Sequence, residues 1–302
     1  MKAVRFDHYG GIDVLYLADV PAPEPAAGEV LVKVKAAAIN PGESKIREGM
    51  FKDIWPATFP SGEGSDLTGI VAKLGAGVTN FKPGDEVLGF TDRRASHAEY
   101  VVVEAQNLTP KPPKVPWEAA GSLGVAGTTA YACVRAVSLK AHDKVAVSGA
   151  AGGVGSITVQ LAKRTGAEVV GIASPANHEW LAAHGIKPIA YGAELADQLR
   201  KLGINAFIDT HGSGYVKMAV QLGVPRERIN TIIEFAAAKE YGVKAEGGQA
   251  AKTASVLAEL AGLIASGELE VPIAATFPLD EIRSAYKLVE QGHTHGKIVL
   301  LP

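Results

Sequence analysis

The stretch SGAAGGVGSITVQLAK, Ser148 to Lys163, does most to limit what this chain can become. Val145 to Val147 form a short apolar run, Gly149, Gly152, Gly153 and Gly155 follow, and Ile157, Val159, Leu161 and Ala162 then recur at helical spacing. The order predicts a strand, a glycine turn and a helix. Gly152 would let a diphosphate approach the backbone, Gly155 would let the helix pack close to the strand, and the N–H groups of the first helical turn would face the anion. Ala150 stands where the first glycine of a Gly-x-Gly-x-x-Gly turn is usual. Ala151, Gly152, Gly153 and Val154 are the expected diphosphate contacts, and a strand-to-helix turn without a ligand is the plain alternative.

TGAEVVGIAS, Thr165 to Ser174, reads as a second buried strand, so the unit is strand, helix, strand with a right-handed crossover. The end of that strand selects the cofactor. An NAD site normally places Asp or Glu there to accept from both ribose hydroxyls. This chain has Ser174, and neither it nor Asn177 would repel a 2'-phosphate, whereas both can donate to it. NADPH is therefore the expected cofactor over NADH. No Lys or Arg lies between Ser174 and Glu179, which leaves His178 and the more distant Tyr191 as supplements.

With 302 residues, 47% of them apolar, the chain can bury two cores, and two domains are expected. A formal charge of -2 and the lack of a basic cluster with interleaved aromatics argue against nucleic acid as a partner. One cysteine, Cys133, excludes an internal disulfide framework and fits a reducing compartment, so the cytoplasm is the expected location. MKAVRF begins with strand-like alternation, and no apolar run approaches the roughly 18 to 20 residues that span a bilayer. No membrane association is expected.

Val30, Val32 and Val34 alternate with Lys33 and Lys35, which predicts a strand with one face in a core. The segments around Val71, Val87 and Val101 continue in that style and predict an antiparallel, barrel-like domain. TPKPPKVP, Thr109 to Pro116, is proline-dense and reads as a connector. From Lys144 the pattern alternates between strands and helices. KPIAYG, INAFIDT and RINTIIEF are a third, fourth and fifth strand, and YGVKA a sixth, in a doubly wound parallel sheet. Ser255 to Leu269 is a helix, and the last strand, KIVLL, returns to the first domain. The expected fold is α/β: a cofactor domain over 117–246, and a mostly antiparallel domain from 1–116 with 247–302.

These elements, in this order, resemble the medium-chain dehydrogenase/reductase superfamily, and within it the zinc-free quinone oxidoreductase group that includes zeta-crystallin. AAAINPGESKIREG, Ala36 to Gly49, is similar to that group's Asn-x-x-Asp-x-x-x-Arg-x-Gly segment, with Glu43 where Asp is usual. Gly64 to Val87, GVAGTTAY (Gly124 to Tyr131), AAGGVG and the ending HGKIVLLP carry the likeness along the chain. The resemblance implies a Rossmann cofactor domain and a GroES-like catalytic domain. It also implies a homodimer. At the positions where zinc relatives hold metal, this chain has the AINP segment and Ser65 before Asp66, and no metal is expected.

Without metal the acceptor must already be electrophilic, which points to quinones and α,β-unsaturated carbonyls as small-molecule substrates. Hydride would come from the nicotinamide, and hydrogen-bond donors would stabilise the developing oxyanion. The resemblance places Asn40 beside the nicotinamide ribose or the substrate carbonyl; a turn-capping Asn before Pro41 is the plain alternative. Lys45 falls where quinone reductases often carry Tyr, and Asp66 is a loop organiser or a catalytic carboxylate. Thr128 is expected near the nicotinamide end. Strand-end residues Thr210, Phe235 and Ala236 are expected along the cofactor, with Tyr191 near the 2'-phosphate. A competing reading is a crystallin-like protein that binds NADPH with little turnover.

Overall fold

Val30, Val32 and Val34 turn into the core along a ten-residue strand, Glu29–Ala38, while Lys33 faces water, as a period of two requires. The computed structural model describes residues 1–302 and divides into two units, Met1–Val125 with Thr253–Pro302, and Ala126–Lys252. In the first, β1 (Lys2–Arg5) pairs antiparallel with β2 (Tyr16–Asp19). The ten-residue strand is β3, followed by α1 (Pro41–Arg47), β4 (Asp66–Leu74), β5 (Glu86–Phe90), β6 (Tyr100–Glu104), β7 (Leu108–Pro110) and α2 (Trp117–Ala120). Antiparallel pairing joins β3 to β4 and β6, β4 to β5, and β5 to β7. Val30, Val32, Leu67, Val87, Val101 and Val103 fill the space this sheet encloses.

Thr109 and Pro110, expected in a connector, instead close the sheet as β7, paired with Leu88 and Val87. Proline is tolerated because β7 is an edge strand and Pro110 is its last residue.

The second unit runs α3 (Thr128–Ala136), β8 (Lys144–Ser148), α4 (Gly155–Arg164), β9 (Glu168–Ile172), α5 (His178–Ala183), β10 (Lys187–Ile189), α6 (Leu195–Leu202), β11 (Ala206–Asp209), α7 (Tyr215–Gln221), β12 (Ile229–Thr231) and α8 (Phe235–Tyr241). Its strands are all parallel in the order β10-β9-β8-β11-β12. The chain leaves β8 toward one edge and returns to its other side at β11, so the turn after β8 lies at the reversal of strand order. Apolar clusters cover both faces, with Val145, Val147 and Ile208 in one and Ala146, Val170 and Phe207 in the other.

The sheet has five strands, not the six expected. YGVKA contributes one isolated bridge, Lys244 to Asn230, because the preceding Gly242 takes a left-handed φ of 66° as the cap of α8 and leaves too short a run to form a ladder. The charged PRER turn before β12 also has a structural explanation. Arg228 donates to Asp143 at 2.6 Å, and Asn205 donates to the other oxygen of that carboxylate at 3.0 Å, so the turns that enter β8, β11 and β12 are tied together.

The chain then adds α9 (Ala254–Ala265), β13 (Ile273–Pro278), α10 (Ile282–Gln291) and β14 (Lys297–Leu301) to the first unit. β14 lies between β3, which it meets antiparallel, and β13, which it meets parallel. No helix is long and apolar enough to cross a membrane.

Candidate functional site

The glycine turn forms as its residue types require. Gly149 has a φ of 59°, and a Cβ there would press on Thr210 and His211, so the turn after β8 lies directly against the turn after β11. At Gly155 a Cβ would run into the carbonyl of Gly149, and only glycine lets α4 start so close to the strand end. On Gly152 a Cβ would meet nothing but that same carbonyl, at 3.3 Å, so the outer side of the turn is an open cradle. The N–H of Gly152 itself is used inside the turn, donating to Gly149 at 2.9 Å. Ala151 is buried, while Gly152, Gly153 and Val154 are partly exposed at the start of α4. These features fit a diphosphate group.

At the end of β9, Asn177 donates to the hydroxyl oxygen of Ser174 at 3.0 Å, which leaves the hydroxyl hydrogen of Ser174 available to a ligand. Thr210 is partly buried and donates to the Ser148 carbonyl at 2.7 Å. Thr128 is fully buried as the first residue of α3. Tyr191 is exposed after β10, and Phe235 and Ala236 are exposed as the first residues of α8. Cys133 is enclosed, and burial pushes its thiol up to about 12, so it is no nucleophile at neutral pH.

In the first unit Asn40 and Asp66 come together and Lys45 stays apart. Asn40 caps α1, where its backbone N–H donates to the Glu43 carboxylate at 2.9 Å. Its side-chain amide donates to Glu43 and to Asp66, each at 3.2 Å, and its oxygen accepts from Lys297 at 2.6 Å. Both amide hydrogens of Asn40 are thus committed inside the protein. Asp66 is wholly buried at the start of β4, beneath Gly124, where a Cβ would come within 2.5 Å of the carboxylate. Lys45 is exposed on α1 and pairs with Glu48 at 3.2 Å.

Sequence reasoning missed most of the network around Asn40. Glu43, Arg47, Glu63, Asp66, His97, Tyr286 and Lys297 are all buried. Arg47 donates to Glu63 at 2.6 Å and lies over the Tyr286 ring, 4.5 Å from its centre. Tyr286 donates to Glu43 at 3.3 Å, and Lys297 donates to the Ile39 carbonyl at 2.9 Å. Burial raises the Glu43 carboxyl against the bonds from Asn40, and raises Glu63 to about 7 against the pull of Arg47. Burial also lowers His97 to about 3, so that ring is neutral. The Lys297 ammonium is lowered by burial, an effect that Asp66 and Glu43 oppose. Two signals pointed to this network in the sequence: Glu43 three residues after Asn40, which is the spacing of a capping box, and a lysine opening the apolar run KIVLL.

No three His, Cys, Asp or Glu side chains are grouped so as to hold a metal ion.

Comparison with known proteins agrees with this geometry. Residues 26–139 match the alcohol dehydrogenase GroES-like domain, and residues 189–300 match a zinc-binding dehydrogenase family. An NADPH-dependent alkenal/one oxidoreductase of Arabidopsis thaliana is 32% identical over the whole of this chain and 80% of its own length. The quinone oxidoreductase of Coxiella burnetii has a TM-score of 0.88 and is 32% identical, covering 100% of this chain and 99% of its own. The Escherichia coli quinone oxidoreductase, solved with NADPH, has a TM-score of 0.88 at 25% identity, with both chains fully covered. With the parallel five-stranded sheet, the glycine turn and the antiparallel sheet all in place, the chain belongs to the medium-chain dehydrogenase/reductase superfamily, in its quinone oxidoreductase group.

Proposed function

We propose that this protein is an NADPH-dependent oxidoreductase that transfers hydride to a quinone or an α,β-unsaturated carbonyl without a metal. The observation that carries this reading is the open glycine cradle between β8 and α4, together with Ser174 rather than an acid at the end of β9. The N–H groups at the start of α4 would receive the diphosphate, where the helix dipole favours negative charge. The Ser174 hydroxyl, oriented by Asn177, would donate to the 2'-phosphate. Thr128, Tyr191, Thr210, Phe235 and Ala236 complete the proposed cofactor contacts. The bound nucleotide supplies the hydride. Names of two similar proteins, the alkenal/one reductase of Arabidopsis thaliana and the quinone oxidoreductase of Coxiella burnetii, support the acceptor class.

On the acceptor side we assign Asn40, Lys45 and Asp66. A carbonyl conjugated to a double bond, or a quinone, takes hydride without a Lewis acid, so the chain has to orient the acceptor. Lys297, Glu43 and Asp66 lock the Asn40 amide in one orientation, and the lone pair left on its oxygen would accept a bond from a hydroxyl of the nicotinamide ribose, since a quinone or an enone has no hydrogen to donate. A proton from water completes the reduction.

The test is the loss of NADPH absorbance with 1,4-naphthoquinone or an enone, run in parallel with NADH. Oxidation of NADPH that depends on the acceptor supports the reading, and binding of NADPH without oxidation by any quinone, enone or enal refutes it. The second outcome is the competing crystallin-like reading, which the internal commitment of both Asn40 amide hydrogens favours.

A further inference from the structure

Asp209 is the last residue of β11, has no exposed surface, and its charge is met by neutral donors. The Ser148 hydroxyl donates to it at 2.6 Å and the Thr231 hydroxyl at 2.7 Å. The backbone N–H groups of Gly212 and His211 add bonds at 2.9 and 3.1 Å. Ser148 ends β8, directly before the glycine turn, and Thr231 ends β12, so one carboxylate joins the carboxyl ends of three adjacent strands. Each donor passes the constraint on. The Ser148 hydroxyl oxygen accepts the N–H of Thr210 at 3.0 Å, and the Thr231 oxygen accepts the N–H groups of Ile233 and Glu234 at 3.2 and 3.0 Å. The Glu234 carboxylate then receives the N–H groups of Gly214 and Val216 at the start of α7.

We propose that Asp209 is a positioning residue for cofactor binding: its carboxylate sets the glycine turn, the 210–212 turn and the 232–234 turn relative to one another. The assignment rests on the proposal that this unit binds a nicotinamide nucleotide. Two effects of opposite sign compete here. A buried negative charge beneath the seat of a diphosphate weakens anion binding, so electrostatics alone predicts that Asp209→Asn tightens it. Geometry predicts the reverse, because an amide cannot accept all four bonds with the donors where they stand. Two N–H groups and two hydroxyls already compensate the charge, so geometry dominates.

The experiment measures the Kd of the full-length protein for NADPH by fluorescence titration, well below the melting temperature, alongside the Tm of the free protein. Asp209→Asn is expected to raise Kd by about tenfold, and Ser148→Ala and Thr231→Val, which each remove one donor, by about threefold. A residue that only stabilises the fold would lower Tm and leave Kd unchanged, so variants with lowered Tm and a Kd within about twofold of wild type overturn the proposal. Tighter binding by Asp209→Asn overturns it too, since charge would then outweigh geometry. If Asp209→Asn does not fold, the two hydroxyl variants decide by the same criterion. A wild-type protein that binds neither NADPH nor NADH overturns the nucleotide reading itself, and this assignment with it.

Discussion

The protein buries carboxylates in two different ways. Around Asn40 three of them, Glu43, Glu63 and Asp66, share an enclosed space with two cations, Arg47 and Lys297. At the carboxyl end of the parallel sheet, Asp209 is satisfied by two hydroxyls and two backbone N–H groups. The difference concerns what holds each charge in place. In the first cluster the Arg47–Glu63 pair sets a charge against a countercharge and leaves an imbalance that protons can correct, so the cluster couples stability to pH. A charge held by fixed dipoles transmits geometry, since each donor belongs to a different strand end or turn.

The largest expected effect comes from removing a cation from the first cluster. Arg47→Met leaves Glu63 buried without its partner at 2.6 Å and removes the guanidinium from the Tyr286 ring. Breaking a buried pair on one side typically costs about 3–5 kcal/mol, so the midpoint of urea unfolding should fall sharply. Adding Glu63→Gln to Arg47→Met should recover a substantial part of that loss. If the double variant is no more stable than the single one, the countercharge account of this cluster is wrong.

Next in size is the pH dependence of Glu63. Its carboxyl is raised from 4.5 to about 7 in the folded protein by burial, with the nearby Glu43 charge adding to the rise and Arg47 opposing it. The folded state therefore holds a proton that the unfolded chain gives up. The resulting stability is fully present below pH 4.5 and is lost as pH rises through about 7. The shift corresponds to at most roughly 3 kcal/mol. His97 acts in the opposite direction. Burial lowers it from 6.5 to about 3, so its contribution is intact above pH 6.5 and fades as pH falls toward 3. Unfolding free energy measured across this range should lose its decline between 4.5 and 7 in Glu63→Gln. An unchanged slope in that variant would remove Glu63 as the group responsible. The other groups facing the cluster are Glu43 and Arg47 on α1, Asp66 on β4, Tyr286 and Glu290 on α10, and Lys297 on β14.

For Asp209 the expected loss on unfolding is smaller. Thr231→Val removes one of four bonds to the carboxylate and two bonds to backbone N–H groups, at a cost of about 1–2 kcal/mol by thermal or urea unfolding. A loss as large as that of Arg47→Met would erase the distinction drawn between the two clusters.

The two clusters also differ in how far they could be read from the sequence. The parallel sheet was legible because its signals are local. An apolar run, four glycines within seven residues and a helical period follow one another between positions 145 and 162, and Gly155 is required by contact with Gly149, six residues away. The YGVKA segment has the composition of a strand, while the left-handed cap at Gly242 that precludes a ladder leaves no mark except a glycine. At Thr109 and Pro110, proline density hides an edge position that only the pairing with β5 reveals. The charged cluster was the least legible. Its members run from Glu43 to Lys297, and a charged residue read singly suggests a surface. Asp209 at the end of AFID belongs with them, since its bond to Ser148 spans 61 positions.

Lys45 sharpens the comparison from the other end, as a paired charge that is not buried. It lies one turn along α1 from Asn40, is exposed, and meets Glu48 at the i,i+3 spacing. Such a pair is worth less than about 1 kcal/mol, so Lys45→Met should leave the unfolding free energy within about 0.5 kcal/mol of wild type. An effect on turnover would then be free of any contribution from folding. If Lys45 touches the acceptor, the substitution raises the KM for a quinone or enone by a few fold, changes kcat little, and leaves the KM for NADPH unaltered, because an exposed ammonium contributes binding that is the same in ground and transition states. Unchanged acceptor KM with every substrate tested would place Lys45 outside the proposed site and leave Asn40, held by Lys297 and Asp66, as the residue to test on that side.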